Sequence, residues 1–151
     1  DPLSAWAGTA ASSGRYLFDP DPGIVRAGLI DVLAEQHSLL RMDAEEEYLT
    51  GDSLPDTGFL AAFEVEAVLG SNVKELKAYL RGAPRSEYEI KCRRVRVEAD
   101  ALRRTLPRGD GPAAAIIVCR VGGRVQHVVA RRIPRTAVRQ NPGDGIPATE
   151  K

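Results

Sequence analysis

Arginine and lysine side chains dominate the second half of the chain, and the chemistry they favour is phosphate binding. The guanidinium group is planar and offers paired N–H donors that match two phosphate oxygens at once, which a lysine ammonium cannot do. Each neutralised phosphate also releases condensed counterions, so such binding depends strongly on salt. The residues predicted to contact a nucleic-acid backbone are Lys91, Arg93, Arg94, Arg96, Arg103, Arg104, Arg120 and Arg124.

The two halves of the chain carry opposite charge. Residues 1–75 hold 4 Lys/Arg against 14 Asp/Glu, and residues 76–151 hold 17 against 7, so net charges of −10 and +10 cancel. A basic surface concentrates polyanions, and an acidic one repels them. Three interpretations stay open: the basic half contacts a polyanion, it pairs with the acidic half inside the molecule, or it has no specific partner.

Motifs for nucleotide use or nucleophilic catalysis are absent from the sequence. The glycines at 109/111 and 122/123 fit neither GxxxxGK[ST] nor GxGxxG, and no GxSxG occurs. The two histidines, His37 and His127, are predicted at a helix end and inside a strand, without a partner for base catalysis. Aromatic residues make up only 5% of the chain, too few for a row of stacking platforms. The sequence therefore predicts no catalytic residue, and any nucleic-acid binding would depend on charge and shape.

Acidic and cysteine residues could bind a metal ion, but their spacing does not fit one. The acidic cluster within residues 43–47 lacks the alternating ligands and central glycine of a calcium loop, so it is predicted to be a solvated acidic face. Cys92 and Cys119 lack zinc spacing and are predicted to be reduced core thiols, with a single disulfide as the alternative. No metal site is predicted.

The hydrophobic pattern predicts an alternation of strands and helices. Expected strands cover residues 15–18, 39–42, 59–69, 88–95, 113–121 and 124–132, and expected helices cover residues 22–37, 73–81 and 97–106. Residues 43–47 are expected to form an acidic turn or a short helix, and residues 50–58 a loop. The last two strands should form a hairpin, because the Gly122–Gly123 pair tolerates the positive φ of a two-residue turn.

This order of elements predicts an α+β fold. The first six elements follow the βαββαβ order of a ferredoxin-like module, placed at residues 15–90. The remaining helix and hairpin, at residues 91–135, either extend that sheet or form a second one. Residues 1–14 have the composition of a linker around Trp6, and residues 136–151 that of a flexible tail.

Several segments resemble a known family. The run GRYLFDPDPGIVRAGLIDVLAE, the run EIKCRRVRVEADALRRTLP and the glycine-turn hairpin resemble the C-terminal region of bacterial class I S-adenosylmethionine-dependent methyltransferases of the THUMP-like family. The resemblance covers roughly residues 14–134. It implies that residues 15–90 are the ferredoxin-like module of that family and residues 91–135 its THUMP-like module.

The resemblance implies an accessory role in RNA binding. THUMP-type modules hold tRNA or rRNA while a separate domain carries out the chemistry, so S-adenosylmethionine and the catalytic residues would belong to a methyltransferase domain outside this chain. The alternative is a structural module that docks on that domain or self-associates, which an exposed apolar patch near Trp6 or along residues 59–69 would favour. A cytoplasmic location is expected, since no signal peptide and no stretch of about 18 apolar residues is present. Because the chain opens at Asp1 without Met, a longer parent protein is also expected.

Overall fold

A computed structural model describes residues 7–134 of the chain, so Trp6, Arg135 and the predicted tail lie outside the described residues. The described part contains seven strands and four helices. The strands are β1 (Tyr16–Pro20), β2 (Leu40–Arg41), β3 (Leu49–Gly51), β4 (Leu60–Leu69), β5 (Tyr88–Cys92), β6 (Ala114–Val121) and β7 (Arg124–Arg132). The helices are α1 (Pro22–Arg26), α2 (Ile30–Gln36), α3 (Val73–Arg81) and α4 (Ala99–Thr105).

All seven strands belong to one sheet, in the order β2-β3-β1-β4-β7-β6-β5. Every pairing is antiparallel except that of β5 with β6, which α4 connects as a crossover. The α+β class is confirmed, and the final hairpin extends the sheet rather than forming a second one. The division into modules at residues 90 and 91 stays a prediction.

The ferredoxin-like strand order is not found in residues 7–134. That order would place β5 beside β1, whereas β5 pairs with β6 at the far edge of the sheet. One pairing of the ferredoxin-like order does occur, because β1 and β4, the first and third strands of the predicted module, are antiparallel neighbours. The buried, unbroken apolar run of β6 supplies a better partner for β5, because a parallel strand pair is normally covered on both faces.

The helix predicted at residues 22–37 is two short helices. Asp21 caps the first one by accepting a hydrogen bond from the Gly23 N–H, and Pro22 opens it. Gly28 has φ = 70°, a left-handed conformation that ends α1 before α2 begins at Ile30. The apolar spacing therefore correctly indicates helical structure, but it does not reveal the break at Gly28 between α1 and α2.

The segment predicted as turn and loop at residues 43–58 contains the short strand β3. Its Thr50 hydroxyl donates to the Tyr16 carbonyl at 2.7 Å and accepts from the Gly14 N–H at 2.8 Å. The described part of the predicted linker also packs onto the sheet edge, where the Ala10 N–H donates to the Arg41 carbonyl and the Arg41 N–H to the Gly8 carbonyl. These long-range contacts explain why turn-forming composition alone mispredicted the region.

Local signals correctly located α3 and the hairpin. Asn72 caps α3 by accepting from the Lys74 N–H at 2.8 Å. Gly122 and Gly123 have φ of 60° and 84°, as the two-residue turn requires. The β5 strand and α4 also occur, but they are shorter than predicted, and the residues between Cys92 and Ala99 form an irregular connection that bends at residues 93–95.

The sheet is curled, and its two faces are covered differently. One face packs under the four helices, with α1 and α2 over β1 and α3 and α4 over β6 and β7. The other face is concave and encloses a core that includes Leu17, Tyr48, Phe63 and Ile117. In a flat sheet β1 and β5 would lie about 19 Å apart, four strand spacings. The 2.9 Å ion pair between Lys91 of β5 and Asp19 of β1 therefore requires the sheet to close toward a barrel. No helix within residues 7–134 is long and apolar enough to cross a membrane.

Candidate nucleic-acid interface

Curling of the sheet brings four of the eight predicted phosphate-binding residues to carboxylates of the acidic half. Lys91 and Arg93 both reach Asp19, and Arg93 and Arg94 both reach Glu47. Arg120 lies 3.8 Å from the Glu46 carboxylate. We call the group formed by Asp19, Glu47, Lys91 and Arg93 the ionic seam, because it joins the ends of β1 and β5. For these cations the structure matches the internal-pairing interpretation that the sequence left open.

Arg93 is the centre of the ionic seam. Its Nε donates to Asp19 at 2.7 Å, its Nη1 to Glu47 at 3.0 Å and its Nη2 to the Pro20 carbonyl at 2.7 Å. Desolvation lowers the pKa of Arg93, but the carboxylates of Asp19 and Glu47 outweigh it and hold that pKa above its ordinary value. With its side chain only 21% exposed and its donors engaged, Arg93 is unsuited to bind phosphate.

Three of the four acidic side chains at residues 43–47 are buried, so the predicted solvated acidic face is wrong for these three, and Glu45 alone among them is exposed. Glu46 is 1% exposed, and Asp43 and Glu47 are each 9% exposed. Met42 and Tyr48, which flank the segment, are fully buried in the concave core. Their positions hold the carboxylates between them close to the core. A sequence pattern of charge alone could not reveal this anchoring.

The buried carboxylates cap the free edge of β6. Beyond Val118 that strand has no β5 partner, and the Glu46 carboxylate accepts from the Arg120 backbone N–H at 2.9 Å instead. Asp43 accepts from the Gly123 N–H at 2.8 Å in the hairpin turn. The second carboxylate oxygen of Glu46 has no hydrogen-bond partner among the described residues. Burial is the largest cause that raises the pKa of Glu46.

Replacing Glu46 by glutamine should remove a pH dependence of stability. Because the pKa of Glu46 is raised in the folded state, the charged carboxylate lowers stability as pH rises from the ordinary value of 4.5 through the raised one. We expect Glu46→Gln to be at least as stable as the wild type at pH 7 and to lose this relative advantage near pH 4. Urea unfolding of both proteins from pH 4 to pH 8 measures the difference. A stability difference that does not change with pH would contradict the expectation.

The other four predicted residues have different surroundings. Arg103 pairs with Asp100 at 2.5 Å and donates to the Tyr88 carbonyl at 3.1 Å. Arg96, Arg104 and Arg124 are exposed and have no carboxylate within 4 Å among residues 7–134. Arg124 begins β7 on the side opposite Val125, so strand alternation separates it from the helix-covered face.

Unpaired cations gather on the helix-covered face. Within the described ranges, the Lys and Arg side chains of α3, of α4 and of the turns next to α4 that lack a carboxylate partner define what we call the helical basic face. Its members are Lys74, Lys77, Arg81, Arg96, Arg104 and Arg108. The sequence prediction included only Arg96 and Arg104. The three α3 cations recur at i, i+3 and i+7, a spacing that places them on one side of the helix and could have identified them.

An apolar groove of about 420 Å³ lies between α3 and α4 on the same face. Its floor is formed by Val118, Val125 and His127 of the hairpin, and α4 contributes Ala101 and Leu102 to one wall. The other wall includes Val73 at the start of α3, which is 37% exposed. The groove therefore opens between the two helices that carry the helical basic face.

The histidine and cysteine side chains have structural surroundings. The His127 ring is buried, and its Nδ1 lies 2.9 Å from the Gly70 carbonyl oxygen. Both cysteines are free thiols, and burial raises the pKa of Cys119 to about 12, which keeps that thiol protonated and unreactive. The described residues contain no group of three His, Cys, Asp or Glu side chains placed to hold a metal ion.

Comparison with known proteins identifies relatives of this chain. Two uncharacterized S-adenosylmethionine-dependent methyltransferases from strains of Mycobacterium tuberculosis are each 38% identical to it over 120 residues. The alignment covers 78% of this chain and 33% of each relative, so the chain spans about a third of their length. A crystal structure of a candidate methyltransferase from Porphyromonas gingivalis has the same fold, with a TM-score of 0.70 at 17% identity. It matches 88% of this chain and 33% of that one.

The family model described as THUMP domain-like matches residues 60–132. The matched range begins where β4 begins and ends where β7 ends, so it includes α3, α4 and the whole helical basic face. Residues 60–132 are therefore similar to the THUMP domain-like family, the family that the sequence resembles.

Proposed function

We propose that this chain is an accessory RNA-binding region of an S-adenosylmethionine-dependent methyltransferase. In this proposal it recruits a structured RNA of the tRNA or rRNA class, while S-adenosylmethionine and the catalytic groups belong to a separate domain of the parent protein. The family match and the names of the M. tuberculosis relatives support this assignment.

The helical basic face is the observation that carries the proposal. The matched range 60–132 contains 15 Lys/Arg against 8 Asp/Glu, a net charge of +7. Many of its other cations are occupied by carboxylates, but those of the helical basic face have none within 4 Å in the described part of the chain. Unpaired cations on one face can neutralise successive phosphates and release their counterions, which is the main source of nonspecific affinity for nucleic acids.

The proposed interface differs from the set predicted from the sequence. Arg96 and Arg104 remain in it, and the cations of α3 are added. Lys91, Arg93 and Arg94 are left out because Asp19 and Glu47 already satisfy them. Binding phosphate at those positions would require the ionic seam to open.

Removing Arg104 should weaken RNA binding and reduce its salt dependence. We expect Arg104→Ala to lower the affinity for a structured RNA severalfold and to reduce the slope of log K against log salt by about 0.8, the contribution of one phosphate contact. The triple variant Lys77→Ala/Arg81→Ala/Arg104→Ala should reduce the slope by about 2. Filter binding to tRNA across a series of salt concentrations measures both quantities.

Arg26→Ala is the matched control. Arg26 also lies in the last turn of a short helix, is exposed and has no carboxylate partner among residues 7–134, but it lies outside the matched range. We expect it to leave affinity and slope unchanged. Equal effects of Arg26→Ala and Arg104→Ala, or affinity that does not respond to salt, would contradict the proposed interface.

The second candidate function is a docking module, favoured by the exposure of Phe59. That side chain is 54% exposed just before β4, the strand at which the sequence placed a possible contact patch. Light scattering on the same samples separates the two candidates. Self-association that Phe59→Ser abolishes, together with no RNA binding, would favour docking over recruitment.

A further inference from the structure

We propose that the apolar groove between α3 and α4 receives an unstacked base of the bound RNA. The inference rests on the proposed function, because the helical basic face would hold the phosphates on either side of that base. It adds that the region distinguishes RNA with an exposed base from a fully paired helix.

The composition of the groove fits a base. The faces of a base are apolar and its edge is polar, and small-ligand sites pair apolar walls with a few polar groups in the same way. Val118 and Val125 provide an apolar floor, and the helix walls are spaced to leave about 420 Å³, within the roughly 300–1,000 Å³ range of such sites. The groove lining contains no Phe, Tyr or Trp among its described residues, so the base would be held between aliphatic side chains rather than stacked on a ring.

His127 supplies a polar group of defined character on the groove floor. A carbonyl oxygen can only accept a hydrogen bond, so the 2.9 Å contact with Gly70 requires the His127 Nδ1 to carry a proton. In the neutral ring Nε2 is then an acceptor. Among the described residues Nε2 has no hydrogen-bond partner. It is not fully buried, so solvent or a ligand can reach it. It can therefore accept from an N–H on the edge of a base.

Charge around the groove favours RNA over an apolar protein segment as its occupant. Arg96 lines the groove, and Lys74 and Arg104 belong to α3 and α4, the helices that contribute to its walls. These cations lack carboxylate partners in the described part of the chain, whereas Glu98 is the acidic residue in the lining. A base enters with negatively charged phosphates attached on both sides, which complements this arrangement.

Filling the groove tests the inference. Ala101 is exposed on α4 and lines the groove, so Ala101→Phe should occupy the space without disturbing the core. Two RNA hairpins of equal length serve as probes, one fully paired and one with a single bulged 2-aminopurine. We expect wild-type protein to prefer the bulged hairpin, and Ala101→Phe to lower affinity for it about tenfold, which corresponds to about 1.4 kcal/mol of lost contact. Affinity for the paired hairpin should be unchanged.

Ala27→Phe is the matched control, because Ala27 is also exposed but lies at the end of α1, outside both the groove and the helical basic face. Val73→Ser removes an apolar side chain from the groove wall and should also reduce the preference for the bulged hairpin. It replaces Ala101→Phe in the test if that variant folds poorly. Equal binding of both hairpins by the wild type, or an equal loss for both with Ala101→Phe, would overturn the inference while leaving the proposed function intact. Binding of neither hairpin would instead reject the proposed function.

Discussion

Replacing Phe63 by alanine should lower the free energy of unfolding by about 4 kcal/mol, the usual cost of emptying an aromatic site in a packed core. Phe63 is fully buried in the concave core and lies opposite Leu17 on β1 and Arg132 on β7. The Arg132 guanidinium carbon lies 4.7 Å from the centre of the Phe63 ring, and Lys91 Nζ lies 5.9 Å from it. The ring therefore fills the core and also supports cations of the sheet. Urea unfolding at pH 7 measures the loss.

Phe63→Leu separates these two roles. Leucine preserves most of the apolar volume and should cost only about 1 kcal/mol if packing dominates. It has no aromatic face, so a cost clearly greater than that would assign part of the stability to the cation–π contacts. A loss below about 1 kcal/mol for Phe63→Ala would contradict the position of Phe63 at the centre of the core.

Replacing Arg93 by alanine should cost about 3 kcal/mol, because it leaves two nearly buried carboxylates short of a partner. Asp19 and Glu47 have side-chain exposures of 10% and 12%. This loss of stability lies at the lower end of the range for breaking a buried ion pair. Each carboxylate retains one other partner, because Asp19 still pairs with Lys91 and Glu47 with Arg94. The loss should persist at high salt, because ions screen buried pairs far less than exposed ones. Urea unfolding at two salt concentrations measures both effects.

Arg94→Ala provides the comparison. Arg94 contacts the same Glu47 carboxylate at 2.8 Å, but its side chain is 59% exposed. An exposed pair contributes at most about 1 kcal/mol and weakens with salt. If Arg93→Ala destabilised the protein no more than Arg94→Ala does, the ionic seam would not be what holds β1 and β5 together.

Features encoded within a few neighbouring residues could be predicted from the sequence. The Gly122–Gly123 turn and the helix at residues 73–81 depend on local stereochemistry, and both occur as expected. The α+β class follows from the order of such elements. Local signals also identified the region rich in cations.

Features that depend on distant residues could not be predicted. The position of β5 beside β6 depends on which strand offers the better surface. Asp19 and Arg93 are 74 positions apart in the sequence, so no local pattern indicates their ion pair. Burial of Asp43, Glu46 and Glu47 follows from the neighbouring core residues Met42 and Tyr48, and not from their charge. For this reason the number of cations is evident from the sequence. Which of them belong to the ionic seam and which to the helical basic face is not.

The pairing of β1 with β4 bears on where the region can be divided. The matched family range begins at Leu60, so a boundary drawn there would remove β1 and leave β4 as the outermost strand. In residues 60–64 of β4, the backbone N–H and C=O groups that now bond to β1 would then be unpaired. Apolar residues such as Phe63 lie beside them. An open apolar edge of this kind favours strand addition from other molecules and aggregation. The residues that precede the matched range thus cover the β4 edge and protect it from strand addition.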